Sequence, residues 1–231
     1  MKISILTLFP QMFEGPFDFS IVKRAVEKKI VEIKFIDIRE FGLGRHKIVD
    51  DKPYGGGLGM ILKVDILKKA IDKAIDKNLT KNEQKIILLS ASGKVYTQQK
   101  AKAFSKLKHL IIICGHYEGV DERMKEFIDE EISVGEFVLT GGEIPAMIIV
   151  DSITRLTKGV LKKGATEQES FSGKNMILEH PQYTRPVKFE NLSVPEILLS
   201  GNHKLISEWK EQQSIKKTRE VKNSSAKKAK N

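Results

Sequence analysis

Four short apolar runs, each bounded by residues that break regular structure, are the clearest pattern in this chain. They cover residues 3–9, 32–38, 85–90 and 110–114. The first, third and fourth runs lack the apolar–polar alternation of a half-exposed strand, and this is typical of strands that are buried on both faces of a parallel sheet. The runs therefore predict strands of a buried, largely parallel sheet.

Helical periodicity lies between these runs. Apolar residues over 21–30 and over 64–75 recur at the three- and four-residue spacing of an amphipathic helix. Thr97 is placed to cap a third helix that runs through Leu107. Strands that alternate with helices predict an α/β layer fold.

The character of the chain changes after residue 160. Residues 161–175 are polar, contain glycine and serine, and show little periodicity, which predicts a linker or mobile loop. Two helices are predicted beyond it, over 194–200 and 203–218. The expected organisation is an α/β domain over 1–160, a flexible linker over 161–175, a small helical domain over 176–218 and a basic disordered tail over 219–231.

Basic residues are concentrated near one end. Lysine and arginine number 40 against 30 acidic residues, which gives a formal net charge of +10. Residues 216–231 hold seven basic residues and one acid, so this segment carries six of those ten charges. This excess of basic residues is consistent with a frayed, solvated end and with a flexible arm that has affinity for phosphates. The tail favours a nucleic-acid partner without establishing one.

Composition excludes several classes of protein. The single cysteine, Cys114, excludes an intramolecular disulfide framework and a multi-cysteine zinc site. No apolar run approaches the roughly 18 residues that span a bilayer, and the first run stops at Pro10, too early for a signal peptide. We therefore expect a cytoplasmic protein without a membrane partner.

Residues 52–60 read KPYGGGLGM and contain four glycines. The segment lacks the lysine of a phosphate-binding Walker loop, and no strand precedes it, as a dinucleotide-binding loop requires. Two interpretations stay open: an ordinary flexible loop, or a backbone that approaches a ligand closely or adopts positive φ angles.

Two further segments predict turns at the edge of the sheet. Residues 114–123 follow the fourth run directly, so they lie at the carboxyl end of a buried strand, where open α/β sheets bind ligands. An apolar run over 134–139 then ends in Thr-Gly-Gly, before an apolar segment with Pro145 in its first helical turn. This pattern predicts a second strand-to-helix turn. The two turns predict a pocket whose backbone groups face a flat ligand such as adenine.

Five segments together closely resemble one family. They cover residues 45–60, 114–124, 133–147, 180–186 and 198–209, in the order and spacing of bacterial tRNA (guanine-N1-)-methyltransferases. The resemblance covers residues 1 to about 218. It implies a SPOUT-type parallel sheet whose second half is tied in a trefoil knot, followed by a small α-helical domain. It also implies an obligate homodimer in which each active site is built from both chains.

The activity that the resemblance implies is methyl transfer from S-adenosylmethionine to N1 of guanosine at position 37 of tRNA. Magnesium dependence is implied as well, although the sequence shows no metal-ligand spacing and we name no metal ligand. A SPOUT enzyme for another RNA base and a non-catalytic RNA-binding protein remain the alternatives.

The resemblance further implies roles for individual residues. Arg155 matches the family's catalytic arginine; Glu169 stands where the family has a catalytic aspartate, and Glu167 is the alternative base. The residues matching the cofactor pocket are Leu89, Ser90, Ala91, Gly115, Tyr117, Glu118, Gly119, Val134, Gly135, Glu136, Phe137, Val138, Leu139, Gly141, Gly142 and Pro145. Those matching the guanine-binding side are Arg45, His46, Asp50, Tyr54, Gly55, Gly57 and Gly59.

Overall fold

The computed structural model of the protein describes residues 1–162, 164–167, 169–172 and 176–228, with side chains as far as residue 224. Five residues of the predicted linker (163, 168 and 173–175) and the last three of the predicted tail lie outside the described residues. The chain divides into two compact units, Met1–Lys162 and Lys163–Asn231.

A parallel sheet forms the centre of the first unit. The strands described in this unit are β1 (Lys2–Thr7), β2 (Glu32–Asp37), β3 (Asp50–Asp51), β4 (Ile61–Leu62), β5 (Gln84–Val95), β6 (His109–Cys114) and β7 (Glu130–Ser133). The order across the central sheet is β2-β1-β6-β5-β7, and every pairing within it is parallel. The short strands β3 and β4 form a separate antiparallel ribbon.

The strands predicted from the four apolar runs are confirmed. All six residues of β6 are buried, which explains why its sequence lacks alternation. The run over 134–139, by contrast, was wrongly predicted to be a strand, because the observed strand is β7, which ends at Ser133. The Ser133 hydroxyl donates to the Gly135 carbonyl (2.8 Å) and accepts from its N–H (3.2 Å), which turns the chain out of the sheet. Phe137 and Val138 are consequently 56% and 86% exposed.

Helices cover both faces of the sheet, as the alternating pattern predicts. Those described in this unit are α1 (Ser20–Glu27), α2 (Val64–Ala74), α3 (Gln98–Phe104) and α4 (Glu143–Leu156), with 3-10 turns at Pro10–Phe13, Ile38–Phe41 and Glu122–Phe127. The stripe on α2 packs into one apolar core, and α1, α3 and α4 contribute to another. Thr97 caps α3 as expected, because its side chain accepts a hydrogen bond from Lys100 N–H (3.3 Å).

The second unit contains a short hairpin and two helices. The elements described there are β8 (Lys188–Phe189), β9 (Leu192–Ser193), α5 (Glu196–Leu199) and α6 (His203–Lys228). Helix α6 begins where the sequence predicts but continues to Lys228 instead of ending near Thr218. The described part of the expected disordered tail is therefore helical.

Candidate active site

A cavity of about 420 Å³ opens at the carboxyl edge of the sheet, beyond the ends of β5, β6 and β7. The turns that follow these strands form its wall. They include the loop after β6 and the Thr-Gly-Gly turn before α4, which the sequence predicts to form a pocket. All the residues proposed for the cofactor line this cavity, except Gly135 and Glu136.

Close backbone packing holds the two turns together. Gly142 N–H donates to the Gly115 carbonyl (2.8 Å), and His116 forms an antiparallel bridge with Gly141. A Cβ atom on Gly142 would overlap the backbone of Cys114 and Gly115. Glycine is required here by this close approach, since the backbone of Gly142 is in the ordinary helical region.

The third wall is an irregularity in β5. Its register against β7 shifts between Leu89 and Lys94, so the intervening residues leave the regular ladder beside the cavity. Within this bulge the Ser90 and Ser92 hydroxyls hydrogen-bond to each other (2.8 Å). Ser90 and Ala91 therefore reach the cavity through a local break in a strand that the sequence predicts as regular.

The glycine-rich loop adopts the positive φ angles that one interpretation of its sequence requires. Gly55, Gly56, Gly57 and Gly59 all have φ between 80° and 137°, a region that disfavours other residues. At Gly59 a Cβ would also overlap the side chain of Glu118, which lines the cavity. Backbone hydrogen bonds from Glu118 N–H to Met60 O (3.1 Å) and from Leu62 N–H to Gly119 O (3.1 Å) hold the loop against the cavity turn.

Asp50 joins the predicted guanine-binding side to the cavity. Partial burial raises the pKa of the Tyr117 phenol, and its hydrogen bond with Asp50 raises that pKa further. Tyr117 itself has φ of 60°, which is uncommon for a residue with a side chain and fixes the direction of the turn. The other predicted guanine-side residues with side chains, Arg45, His46 and Tyr54, are exposed and do not line the cavity.

A buried carboxylate beside the Gly141-Gly142 turn was missed by sequence reasoning. Glu143 is the first residue of α4, yet its side chain is only 2% exposed. Its Oε1 accepts a hydrogen bond from Thr7 Oγ1 (2.7 Å). Glu143 follows Gly141-Gly142 directly, so its position was the available clue, but an acidic residue in a first helical turn is ordinarily solvated.

Cys114, at the end of β6, is buried beneath the same turns. Burial raises the pKa of its thiol well above the usual value, and the nearby Glu143 raises it further. A thiol in this environment stays protonated and is a poor nucleophile. Cys114 therefore acts in packing rather than in covalent chemistry.

The proposed catalytic pair is divided between the two compact units. Arg155 is half-buried in the last turn of α4, in the first unit. Glu169 belongs to the second unit, where its carbonyl accepts hydrogen bonds from the Ser172 hydroxyl (2.6 Å) and N–H (3.1 Å). The same hydroxyl lies 2.8 Å from the Glu167 carbonyl, so one serine organises the backbone of both candidate bases. Glu169 is half-buried, whereas Glu167 is exposed.

The described residues contain neither a metal-ligand cluster nor a membrane-spanning helix. No cluster of three or more His, Cys, Asp or Glu side chains in this part of the chain is arranged to hold a metal ion. No helix within the described ranges is long and apolar enough to cross a membrane.

Comparison with known proteins connects this geometry to a family. The family model described as "tRNA (Guanine-1)-methyltransferase TrmD" matches residues 1–228. The chain belongs to this family. The resemblance found in the sequence is therefore confirmed. The matched range includes both the cavity-lining turns and the glycine-rich loop of this chain.

Curated members of the tRNA (guanine-1)-methyltransferase family align with almost the whole chain. A protein of Carboxydothermus hydrogenoformans named tRNA (guanine-N(1)-)-methyltransferase is 52% identical over 220 residues, 94% of this chain and 84% of that protein. Proteins of the same name from Geobacillus kaustophilus and Endomicrobium trichonymphae are 50% and 48% identical, and they are covered over 88% and 97% of their lengths. The alignments cover 94% and 95% of this chain, respectively.

Proposed function

We propose that the protein transfers a methyl group from S-adenosylmethionine to N1 of guanosine at position 37 of tRNA. The observation that carries the proposal is that two segments typical of its family, residues 114–124 and 133–147, line the same cavity. A third, the glycine-rich loop, is hydrogen-bonded to that cavity's wall. A methyl donor in the cavity and a base against the glycine-rich loop are then neighbours.

The cavity suits S-adenosylmethionine in size and chemistry. Its volume of about 420 Å³ lies within the range of small-molecule sites, roughly 300–1,000 Å³. Leu88, Leu89 and Ile132 offer apolar surface, and Gly141 lines the cavity without a side chain, so a flat ligand such as adenine can approach its backbone. When bound, the cofactor supplies a methyl group that its sulfonium makes electrophilic.

Glu169 is proposed as the general base. N1 of guanine carries a proton and is a poor nucleophile until that proton is removed, which a carboxylate within hydrogen-bond reach accomplishes. The Ser172 contacts fix the backbone at Glu169, and its half-buried position contrasts with the solvated Glu167. The half-burial of Glu169 favours it over Glu167, whereas the Ser172 hydroxyl contacts the backbone of both residues.

Arg155 is proposed to stabilise the charge that develops on the base. As the N1 proton leaves, negative charge builds towards O6 of guanine, and a guanidinium that donates hydrogen bonds there lowers the barrier. Its place in the last turn of α4, a helix packed into the core of the first unit, gives the guanidinium a rigid base.

The assembly proposed is the homodimer of the family, with active sites built from both chains. In support, Ile144 and Ile148 are exposed on one face of α4, and Val138 is exposed in the loop before it. The trefoil knot and a helical tRNA-binding domain are part of the same proposal. Magnesium dependence stays a prediction from the family resemblance, for which we name no protein ligand.

The test is methyl transfer from labelled S-adenosylmethionine to unmodified tRNA, with guanosine or adenosine at position 37. Wild-type protein is expected to label the first tRNA only, with the methyl group on N1. Glu169→Gln is expected to lose about a hundredfold or more in rate, the usual effect of removing a general base.

Glu167→Gln is the matched control, because it removes a carboxylate two residues away and is expected to retain wild-type activity. Full activity of Glu169→Gln would show that another group takes the proton. Failure of wild-type protein to label any guanosine-37 tRNA would contradict the proposed function itself.

A further inference from the structure

His116 has an unpaired nitrogen beneath the candidate cofactor cavity. Its Nδ1 atom is buried and has no hydrogen-bond partner among the described residues. The nearest carboxylate atom, Glu143 Oε2, is 3.8 Å away, which is too far for a hydrogen bond. Buried polar atoms in folded proteins are almost always paired, so an unpaired nitrogen at a candidate site requires an explanation.

The surroundings of His116 permit movement in one direction. Its ring lies against Phe9 and Tyr117, with centroids 5.0 Å apart in both cases. A Cβ on Gly141 would overlap both His116 Nδ1 and Glu143 Oε2, so the absence of a side chain there leaves the space between them free. A displacement of about 1 Å would bring the two atoms to hydrogen-bond distance.

We propose that His116 and Glu143 are a positioning pair that closes when S-adenosylmethionine occupies the cavity, with His116 Nδ1–H donating to Glu143 Oε2. His116 lines the cavity and is bridged to Gly141, whereas Glu143 is fixed at the start of α4. Closure draws the turn after β6 towards the turn before α4. The pair thus fixes both walls around the cofactor without contacting the methyl group.

Thr7 determines the direction of this hydrogen bond. Its Oγ1 accepts from Phe9 N–H (2.9 Å) and donates to Glu143 Oε1 (2.7 Å). Residue 143 must therefore present an acceptor to Thr7, and a carboxylate has a second acceptor left for His116. In Glu143→Gln the amide oxygen stays towards Thr7 and the NH₂ group faces His116, which must then accept at Nδ1. The substitution reverses the tautomer that the closed pair requires.

The experiment records ring ¹⁵N shifts of the histidines in full-length protein, with and without S-adenosylhomocysteine; His116→Gln identifies the His116 signals. On ligand binding, wild-type His116 is expected to become uniformly protonated at Nδ1 and unprotonated at Nε2. Glu143→Gln is expected to favour the opposite tautomer. Its KM for S-adenosylmethionine is expected to rise roughly tenfold, the scale of a hydrogen bond to a charged group, with kcat changed far less.

Asp151→Asn is the control, since it removes an exposed carboxylate from the same helix and is expected to behave as wild type. The inference rests on the proposed function in that the ligand is taken to bind in this cavity, so calorimetry with S-adenosylhomocysteine accompanies the spectra. Binding without a change in the His116 tautomer would overturn the inference alone. No binding by wild-type protein would overturn the proposed function and the inference together.

Discussion

His109 and His116 lie at opposite ends of the same strand and differ in how their rings are satisfied. At the amino end of β6, His109 is fully buried, with Nε2 2.9 Å from Ser4 Oγ and Nδ1 2.9 Å from Gln84 Oε1. Just beyond the carboxyl end, His116 has a buried Nδ1 without a partner in the part of the chain that the structure describes. The amino edge is thus built for stability, while the carboxyl edge leaves groups and space for ligands.

The hydrogen bonds at the amino edge specify one form of His109. The Gln84 oxygen is an acceptor that also receives Asp76 N–H (2.9 Å), so His109 donates from Nδ1 and accepts at Nε2 from the Ser4 hydroxyl. Burial, together with the nearby positive charge of Lys2, lowers the pKa of His109 to about 4. The neutral ring is therefore part of the fold.

The largest effect is expected from adding a side chain where the two cavity turns meet. Gly142→Val would overlap the backbone of Cys114 and Gly115, so affinity for S-adenosylhomocysteine should fall at least about a hundredfold, with roughly 1–3 kcal/mol lost from stability. Calorimetry and urea denaturation measure the two quantities. If this variant bound S-adenosylhomocysteine as tightly as the wild type does, the assignment of function to the carboxyl edge would be wrong.

At the amino edge the corresponding change should affect stability alone. His109→Ala removes a buried ring and leaves Ser4 and Gln84 without a partner, so we expect the free energy of unfolding to fall by about 2–4 kcal/mol. The KM and kcat of the folded protein should be unchanged. A loss below about 1 kcal/mol, or a clear rise in KM for the cofactor, would show that the two edges are not separable in this way.

Acid should destabilise the protein through the same histidine. Because the folded pKa of about 4 lies below the ordinary value of 6.5, neutral His109 contributes its full stability above pH 6.5. That contribution should be lost as the pH falls from 6.5 towards 4, by up to about 3 kcal/mol. Urea denaturation of the wild type and of His109→Ala across this pH range isolates the contribution of His109 to the unfolding free energy. If the unfolding free energies of the two proteins fell in parallel with pH, this prediction would be contradicted.

The smallest effect is expected at a helix cap that does not line the cavity. Thr97→Ala removes the side-chain acceptor for Lys100 N–H and should cost about 1 kcal/mol of unfolding free energy. Cofactor affinity should not change. Thr97→Ser retains the cap and should restore most of the stability, so an equal loss in both variants would mean that the hydroxyl does not act as a cap.

Sequence reasoning succeeded where local pattern and tertiary environment agree. Strand β6 is apolar throughout because both faces of the central sheet are covered, and the stripe on α2 faces one core. The prediction of a strand over 134–139 is wrong because apolar composition alone does not show whether a surface is buried within the chain. Val138 is exposed here, and the hydrogen bonds of Ser133 that end the strand depend on geometry rather than on composition.

The site was predictable at the level of segments but not of contacts. The turn after β6 was located by its position at a strand end, and the family resemblance supplied the roles. Nothing in the sequence distinguishes Glu143, which is buried, from an ordinary solvated residue in a first helical turn, because its partner Thr7 lies 136 positions away. Separation in sequence likewise concealed the approach of Gly59 to Glu118.

The most direct test of the central claim is a crystal structure of the wild-type protein with S-adenosylhomocysteine. We expect ligand density in the cavity at the carboxyl edge, between the turns of Gly115 and Gly142 and beside Leu89. Ligand bound elsewhere, with this cavity filled by solvent, would contradict the assignment of function to that edge of the sheet.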